Sequence, residues 1–220
     1  MKKVFLIAAA AFLVLFAAVF FAGRAGLFEK KPFPENDLIC IDAGHGGNDP
    51  GAVLGERYEK DDNLRLALLV ASYLEDAGKK VVLTRDGDFF VELSDRCDIA
   101  NKKGAALFIS FHRNSAPDES VSGVEVWAPS NADKLSLLMS ERILAGLRDV
   151  GISVDRGVKK GTAANPYSDY AVNRGTKMPS CLIEMGFITN DADNALFDEN
   201  ADAYAKAVAD AVISLYPKEK

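Results

Sequence analysis

The chain has 220 residues, of which 49% are hydrophobic and 26% charged, and its formal charge is −6. That length and composition specify one globular domain with a substantial core plus a short extra segment. The acidic balance argues against a nucleic-acid partner. The three cysteines, Cys40, Cys97 and Cys181, are odd in number and have no CxxC spacing; Cys40 and Cys181, set in apolar runs, read as buried, inert thiols.

Lys2 and Lys3 precede an apolar run from Val4 to Gly23, 20 residues without a charge. At 1.5 Å rise per residue that run is long enough to cross a bilayer core. Phe20-Phe21-Ala22 is a poor cleavage site, and Gly23-Arg24-Ala25 is the only other candidate. Length favours an uncleaved signal anchor over a cleaved signal peptide, and in either case the lysines stay in the cytoplasm while the domain is exported. Residues 24–37 are polar, contain Pro32 and Pro34, and read as a linker. The domain expected to carry the function then covers 38–217.

The first strand is predicted at Leu38–Asp42, running into the glycine-rich turn Ala43-Gly44-His45-Gly46-Gly47. A helix follows from about Glu59 to Ala77, with Leu64, Ala67, Leu68, Ala71 and Leu74 at helical spacing and Gly78 as its stop. Lys80–Thr84 is a second strand. Ser94 is expected to cap a short helix through Asn101 that ends at Gly104. Ala105–Phe111 is a third strand, and Gly123–Ala128 alternates as a more exposed one, with Glu125 and Trp127 opposite Val124, Val126 and Ala128. Asn131 opens a long helix through Val150; residues 155–174 read as loop in part. Ser180–Glu184 is a buried strand, and a final helix covers about Asp202–Leu215. Strands alternating with helices give an α/β fold, a central mostly parallel or mixed sheet flanked by helices on both faces.

His45 and His112 are the only histidines, and each leaves an apolar strand. Two scarce imidazoles at strand exits point to metal ligands gathered at one edge of a sheet. A hydrolytic zinc has three protein ligands and one open position. The third ligand is a carboxylate from the start of the next helix, Glu59 best, with Glu56 open on spacing alone. Glu184 closes the apolar run Cys181-Leu182-Ile183, and a carboxylate there is costly unless it is paired or works at a site. It is the candidate general base and acid. Asp42 is placed as a partner that orients His45. Asn114 is a candidate substrate contact or a turn residue, and Trp127 either packs or stacks on sugar. The glycine turn lacks the GK[ST] of a P-loop and the GxGxxG spacing of a dinucleotide site, so phosphate binding is rejected.

At this point five segments, in order along the chain, carry a resemblance. Ile41-Asp42-Ala43-Gly44-His45-Gly46-Gly47, Glu59-Lys60-Asp61-Asp62-Asn63-Leu64, Thr84-Arg85-Asp86 with Ser94-Asp95-Arg96 and Ala100-Asn101, Ser110-Phe111-His112-Arg113-Asn114, and Leu182-Ile183-Glu184-Met185-Gly186-Phe187-Ile188-Thr189-Asn190 resemble the motifs of the zinc-dependent N-acetylmuramoyl-L-alanine amidases of type 3. The resemblance implies zinc on His45, Glu59 and His112, which favours Glu59 over Glu56, and Glu184 as proton shuttle. It implies hydrolysis of the amide between N-acetylmuramic acid and L-alanine of peptidoglycan. It also sets Arg174 near the substrate groove. Two positions depart from the family: Ala43 stands where proline is frequent, and Arg113, expected beside the metal and altering the charge offered to substrate, where alanine is frequent. No long inserted helix precedes Glu184, so the site is expected to be open. Peptidoglycan is then the partner, the membrane is met only through the N-terminal segment, and an activator protein is left open. The alternatives are a zinc peptidase or carboxypeptidase acting on wall peptides, and a catalytically silent wall-binding module.

Overall fold

The structure is a computed structural model that describes residues 33–217. The expected signal or anchor at 1–23 and most of the expected linker lie outside the described residues. Strand β1 (Leu38–Ala43) is followed by a small hairpin, β2 (Val53–Leu54) and β3 (Arg57–Tyr58), and by helix α1 (Glu59–Asp76). Then come β4 (Lys80–Leu83), α2 (Leu93–Lys103), β5 (Leu107–Asn114), β6 (Val124–Ala128), α3 (Lys134–Val150), β7 (Asp155–Lys160), α4 (Ala171–Gly175), β8 (Ser180–Phe187) and α5 (Asp191–Ile213).

Six strands form one sheet in the order β4-β1-β5-β8-β6-β7. β4, β1, β5 and β8 run parallel, β6 is antiparallel to β8, and β7 is parallel to β6, so the sheet is mixed. The apolar runs of β1, β5 and β8 become strands because both of their faces are covered, as parallel strands require. One face carries Ile39, Ile41, Ile109, Phe111, Cys181 and Ile183 against α1, α3 and α5. The other carries Cys40, Phe108, Trp127 and Leu182 against residues of the shorter α2 and α4, Cys97, Ala100 and Val172 among them. Alternation continues that second face into Asp42 on β1, Ser110 and His112 on β5, Glu184 on β8 and Glu125 on β6. Its carboxyl-end row is therefore polar.

Four expectations are corrected. β6 is not an exposed strand: all five residues are buried, because β8 and β7 flank it. Helix α2 begins at Leu93 after Glu92 and receives no side-chain cap from Ser94. Asp133, rather than Asn131, precedes α3, and its side chain accepts from the Ser136 N–H. Helix α5 starts at Asp191, capped by the Asn190 side chain, eleven residues before the expected Asp202. Its first turn is acidic, which suits the positive end of a helix dipole but reads as loop by composition. The three cysteines are buried and free.

Candidate metal centre and active site

Three elements deliver the candidate ligands to the carboxyl ends of β1 and β5. His45 leaves β1 in the turn, His112 sits on β5 where the pairing with β8 shifts register, and Glu59 is the first residue of α1. Open α/β sheets place ligands at this end of their strands. One donor atom from each residue lies within 4.8 Å of the others. His45 Nε2 is 3.2 Å from Glu59 Oε1, and His112 Nδ1 is 2.8 Å from the same oxygen. Glu56 is exposed and not among the converging residues, whereas Glu59 is buried among them.

The carboxylate is fixed from several sides. Glu59 Oε2 accepts from the Ala52 N–H at 2.8 Å, and Oε1 accepts from the Arg113 N–H at 3.0 Å and from Asn63 Nδ2 at 3.3 Å. His45 Nδ1 lies 2.8 Å from Asp49 Oδ2, which leaves Nε2 turned toward Glu59. Thus Asp49, rather than Asp42, orients the His45 ring. Glycines clear the space: a Cβ on Gly44 would overlap the His112 ring, and one on Gly51 (φ +66°) would stand 2.6 Å from Glu59 Oε2. Two imidazoles and one carboxylate are the donor set of a catalytic zinc site, so the residues fit that metal.

His45 is the one described residue other than glycine with a positive φ, +61°. That conformation costs an L-residue on the order of 1–2 kcal/mol. Two buried arginines hold the turn in it. Arg96 Nη2 donates to the His45 carbonyl at 2.7 Å and Nη1 to the Ala43 carbonyl at 2.6 Å; Arg85 Nη2 donates to the Gly44 carbonyl at 2.9 Å. Asp42 belongs to this support. It is fully buried and accepts from Arg96 Nη1, Thr84 Oγ1 and Ser110 Oγ at 2.9, 2.6 and 2.6 Å.

The electrostatics follow from the crowding of charge. Burial would lower the His45 pKa, but the Glu59 and Asp49 carboxylates outweigh it and raise it to about 9. Burial pushes Glu59 upward, and the two imidazoles overcome that and hold it well below the usual carboxylate range. A divalent cation would take the place of those protons.

Glu184 pairs in register with His112 across β5 and β8, and with Glu125 across β8 and β6. It is 9% exposed, and its Oε2 has no hydrogen-bond partner. Burial, reinforced by the negative charges of Glu59 and Glu125 and opposed by His112 and His45, raises its pKa to about 7. That value suits a group that both takes and gives a proton near neutrality.

Glu125 was not among the residues singled out from the sequence. It is 3% exposed and accepts from Asn114 Nδ2 and Trp127 Nε1 on Oε1, each at 3.0 Å, and from Arg156 Nε at 3.0 Å and Lys159 Nζ at 2.5 Å on Oε2. The Asn114 amide is thereby tied to Glu125. Arg174 lies on α4, donates to the Asp169 carbonyl at 2.9 Å, and lines a cleft of about 340 Å³ with Ser180, the first residue of β8. Arg113 presents no charge to the site. Its guanidinium is buried on the other face, bonded to Asp62 and Asn194 and set 4.6 Å over the Phe197 ring.

The sequence pattern of the N-acetylmuramoyl-L-alanine amidases matches residues 39–214. The uncharacterized protein YqiI of Bacillus subtilis is 36% identical over 189 residues, 83% of this chain and 86% of YqiI. The N-acetylmuramoyl-L-alanine amidase LytC of the same organism is 34% identical over 187 residues, 82% of this chain but 36% of LytC. Among solved structures, the N-acetylmuramoyl-L-alanine amidase AmiC2 of Nostoc punctiforme aligns with a TM-score of 0.71 at 36% identity, covering 80% of this chain and 95% of AmiC2. The match runs from the first strand of the sheet to the last helix, and on it this chain belongs to the N-acetylmuramoyl-L-alanine amidase family of type 3.

Proposed function

We propose that the chain is a zinc-dependent hydrolase that cuts the amide between N-acetylmuramic acid and L-alanine in peptidoglycan. One observation carries this reading: two imidazoles converge on one carboxylate oxygen, and a glutamate with one unpartnered buried oxygen stands in register on the adjacent strand. His45, Glu59 and His112 would hold the metal. A zinc ion bound there supplies polarisation of the scissile carbonyl and acidification of water. Glu184 takes a proton from the attacking water as the water oxygen bonds to the carbonyl carbon. As the C–N bond breaks, Glu184 returns that proton to the amine nitrogen. The products are the lactyl carboxyl group and a free L-alanine amine. Asp49 keeps His45 in its liganding orientation, and Arg96 with Asp42 keeps the turn in place.

Residues 38–217 form the catalytic domain in this reading. The apolar run at Val4–Gly23 serves as signal or anchor, which puts the domain outside the membrane, on its wall substrate. Among the described residues no helix is long and apolar enough to cross a membrane. The test is mass spectrometry of peptidoglycan digested by the full-length protein with zinc. Intact stem peptides with a free L-alanine amine support the reading. Cuts inside the peptide replace it with a peptidase, and wall binding without bond cleavage by folded, zinc-loaded protein replaces it with a silent module.

A further inference from the structure

The polar row on the second face does not stop at Glu184. It continues one strand further to Glu125 on β6, and then to two cations from β7, Arg156 and Lys159. Both cations bond the same oxygen of Glu125, so two positive charges share one negative charge. Glu125 is buried, but the Arg156 and Lys159 side chains keep 33% and 34% of their surface exposed. The cluster therefore offers a surplus positive charge to solvent while its counter-charge stays underneath. A carboxylate fixed by four donors is a rigid anchor for those two heads, which are otherwise long and entropically free.

Position makes this surplus useful. The cationic heads sit at Glu125, one strand over from Glu184, a lateral step of about 5 Å. A substrate amide held beside Glu184 has its L-alanine Cα next, and the following residue begins about 3.8 Å further along. We propose that Arg156 and Lys159 form a subsite for a free carboxylate on the second residue of the stem peptide. This rests on the amidase reading and adds a determinant to it: the enzyme distinguishes an acidic second residue from its carboxamide. The buried Trp127 ring lies 5.2 Å beneath Lys159 Nζ and edge-on to Tyr170, so the Lys159 head rests on a packed surface.

The test uses two peptidoglycan fragments alike except that the second residue carries either a free carboxylate or a carboxamide. The zinc-loaded full-length protein and its Lys159→Gln and Arg156→Gln variants are compared on both, with folding checked by circular dichroism. A half-exposed ion pair supports a preference of about five-fold in kcat/KM for the carboxylate, carried by KM, and each variant shrinks that ratio toward one. Lys159→Arg, which keeps the charge, restores the preference. NMR titration with L-alanyl-γ-D-glutamate against its amide reads the same preference without turnover. Cleavage of both fragments at equal kcat/KM, or a preference that survives in both variants, overturns the subsite and leaves the amidase. A carboxylate preference in the titration without cleavage of either fragment keeps the subsite and overturns the amidase; neither preference nor cleavage overturns both.

Discussion

Glu184 and Glu125 face each other across β8 and β6 and both are shielded from solvent, Glu184 the more deeply enclosed by protein, and their surroundings drive them apart. Around Glu125, burial pushes the pKa upward, but Lys159, Arg156 and the Trp127 N–H outweigh it and hold the group ionised. Around Glu184 no lysine or arginine bonds the carboxylate among the described residues, one oxygen has no partner among them, and burial raises the pKa to about 7. Burial acts upward on both carboxylates, and the cations that accompany Glu125 reverse it there. Neighbouring titratable groups whose environments separate their protonation states are a mark of acid–base assignment. In the proposed reaction Glu184 would then be the mobile proton carrier and Glu125 the fixed charge.

The largest expected effect breaks or keeps that division of labour. Glu184→Gln removes the proton carrier without removing volume, and its turnover should fall about 10²–10⁴-fold. Zinc content, read by elemental mass spectrometry, should stay at the wild-type level, because Glu184 is not placed among the ligands. Glu125→Gln should keep most of its kcat. If the two variants lose turnover equally, the contrast between the two glutamates is wrong. His45→Ala is the control in the other direction, and full zinc retention there would remove His45 from the ligand set.

A smaller effect concerns a third carboxylate, Asp49, which holds the outer nitrogen of His45 at 2.8 Å. Partners of this kind typically matter by about 10- to 100-fold in metal affinity. Asp49→Ala should weaken zinc by that order in competition with a chromogenic chelator. Asp42→Asn should act differently, by loosening Arg96 and the turn, and should show first in thermal stability. Zinc affinity unchanged in Asp49→Ala would return the orienting role to another group.

Much of this site is readable in the chain because it uses scarce or costly residues. Two histidines, each after an apolar strand, leave few other arrangements, and a glutamate that ends the run Cys181-Leu182-Ile183 is too expensive to be incidental. Glu125 is hidden for the opposite reason. The alternation Val124-Glu125-Val126-Trp127-Ala128 is what a strand with one wet face displays, and a polar groove over a buried face writes the same pattern. Sequence spacing also misplaces partners that meet only through topology. Arg113 neighbours the candidate ligand His112 in sequence, but strand alternation sends its side chain to the opposite face, where Asp62, 51 residues away, receives it. Asp42 and Asp49 both flank His45 in the chain. Only the left-handed turn at His45 decides which one reaches its ring. Arg174, set near the groove by resemblance, lines a cleft with Ser180 at the start of β8.

The smallest effect is the most direct measure of the contrast. Glu125→Gln keeps an acceptor for Asn114 and Trp127 but leaves Arg156 and Lys159 without their counter-charge. Hydrogen bonds to charged groups contribute about 1.5–3 kcal/mol, and partial solvent exposure of the cations puts this case just below that range. Urea unfolding near pH 7 should therefore show a loss of about 1 kcal/mol. The sign with pH follows from a folded pKa held below its ordinary value. The stabilisation is fully present above the unfolded carboxylate pKa, near 4.5, and disappears as pH falls through the folded one. The gap between wild type and variant should consequently be constant from pH 7 to about pH 5 and close on further acidification. A gap that widens toward low pH would mean that Glu125 is protonated in the folded protein, and the two facing glutamates would then be alike.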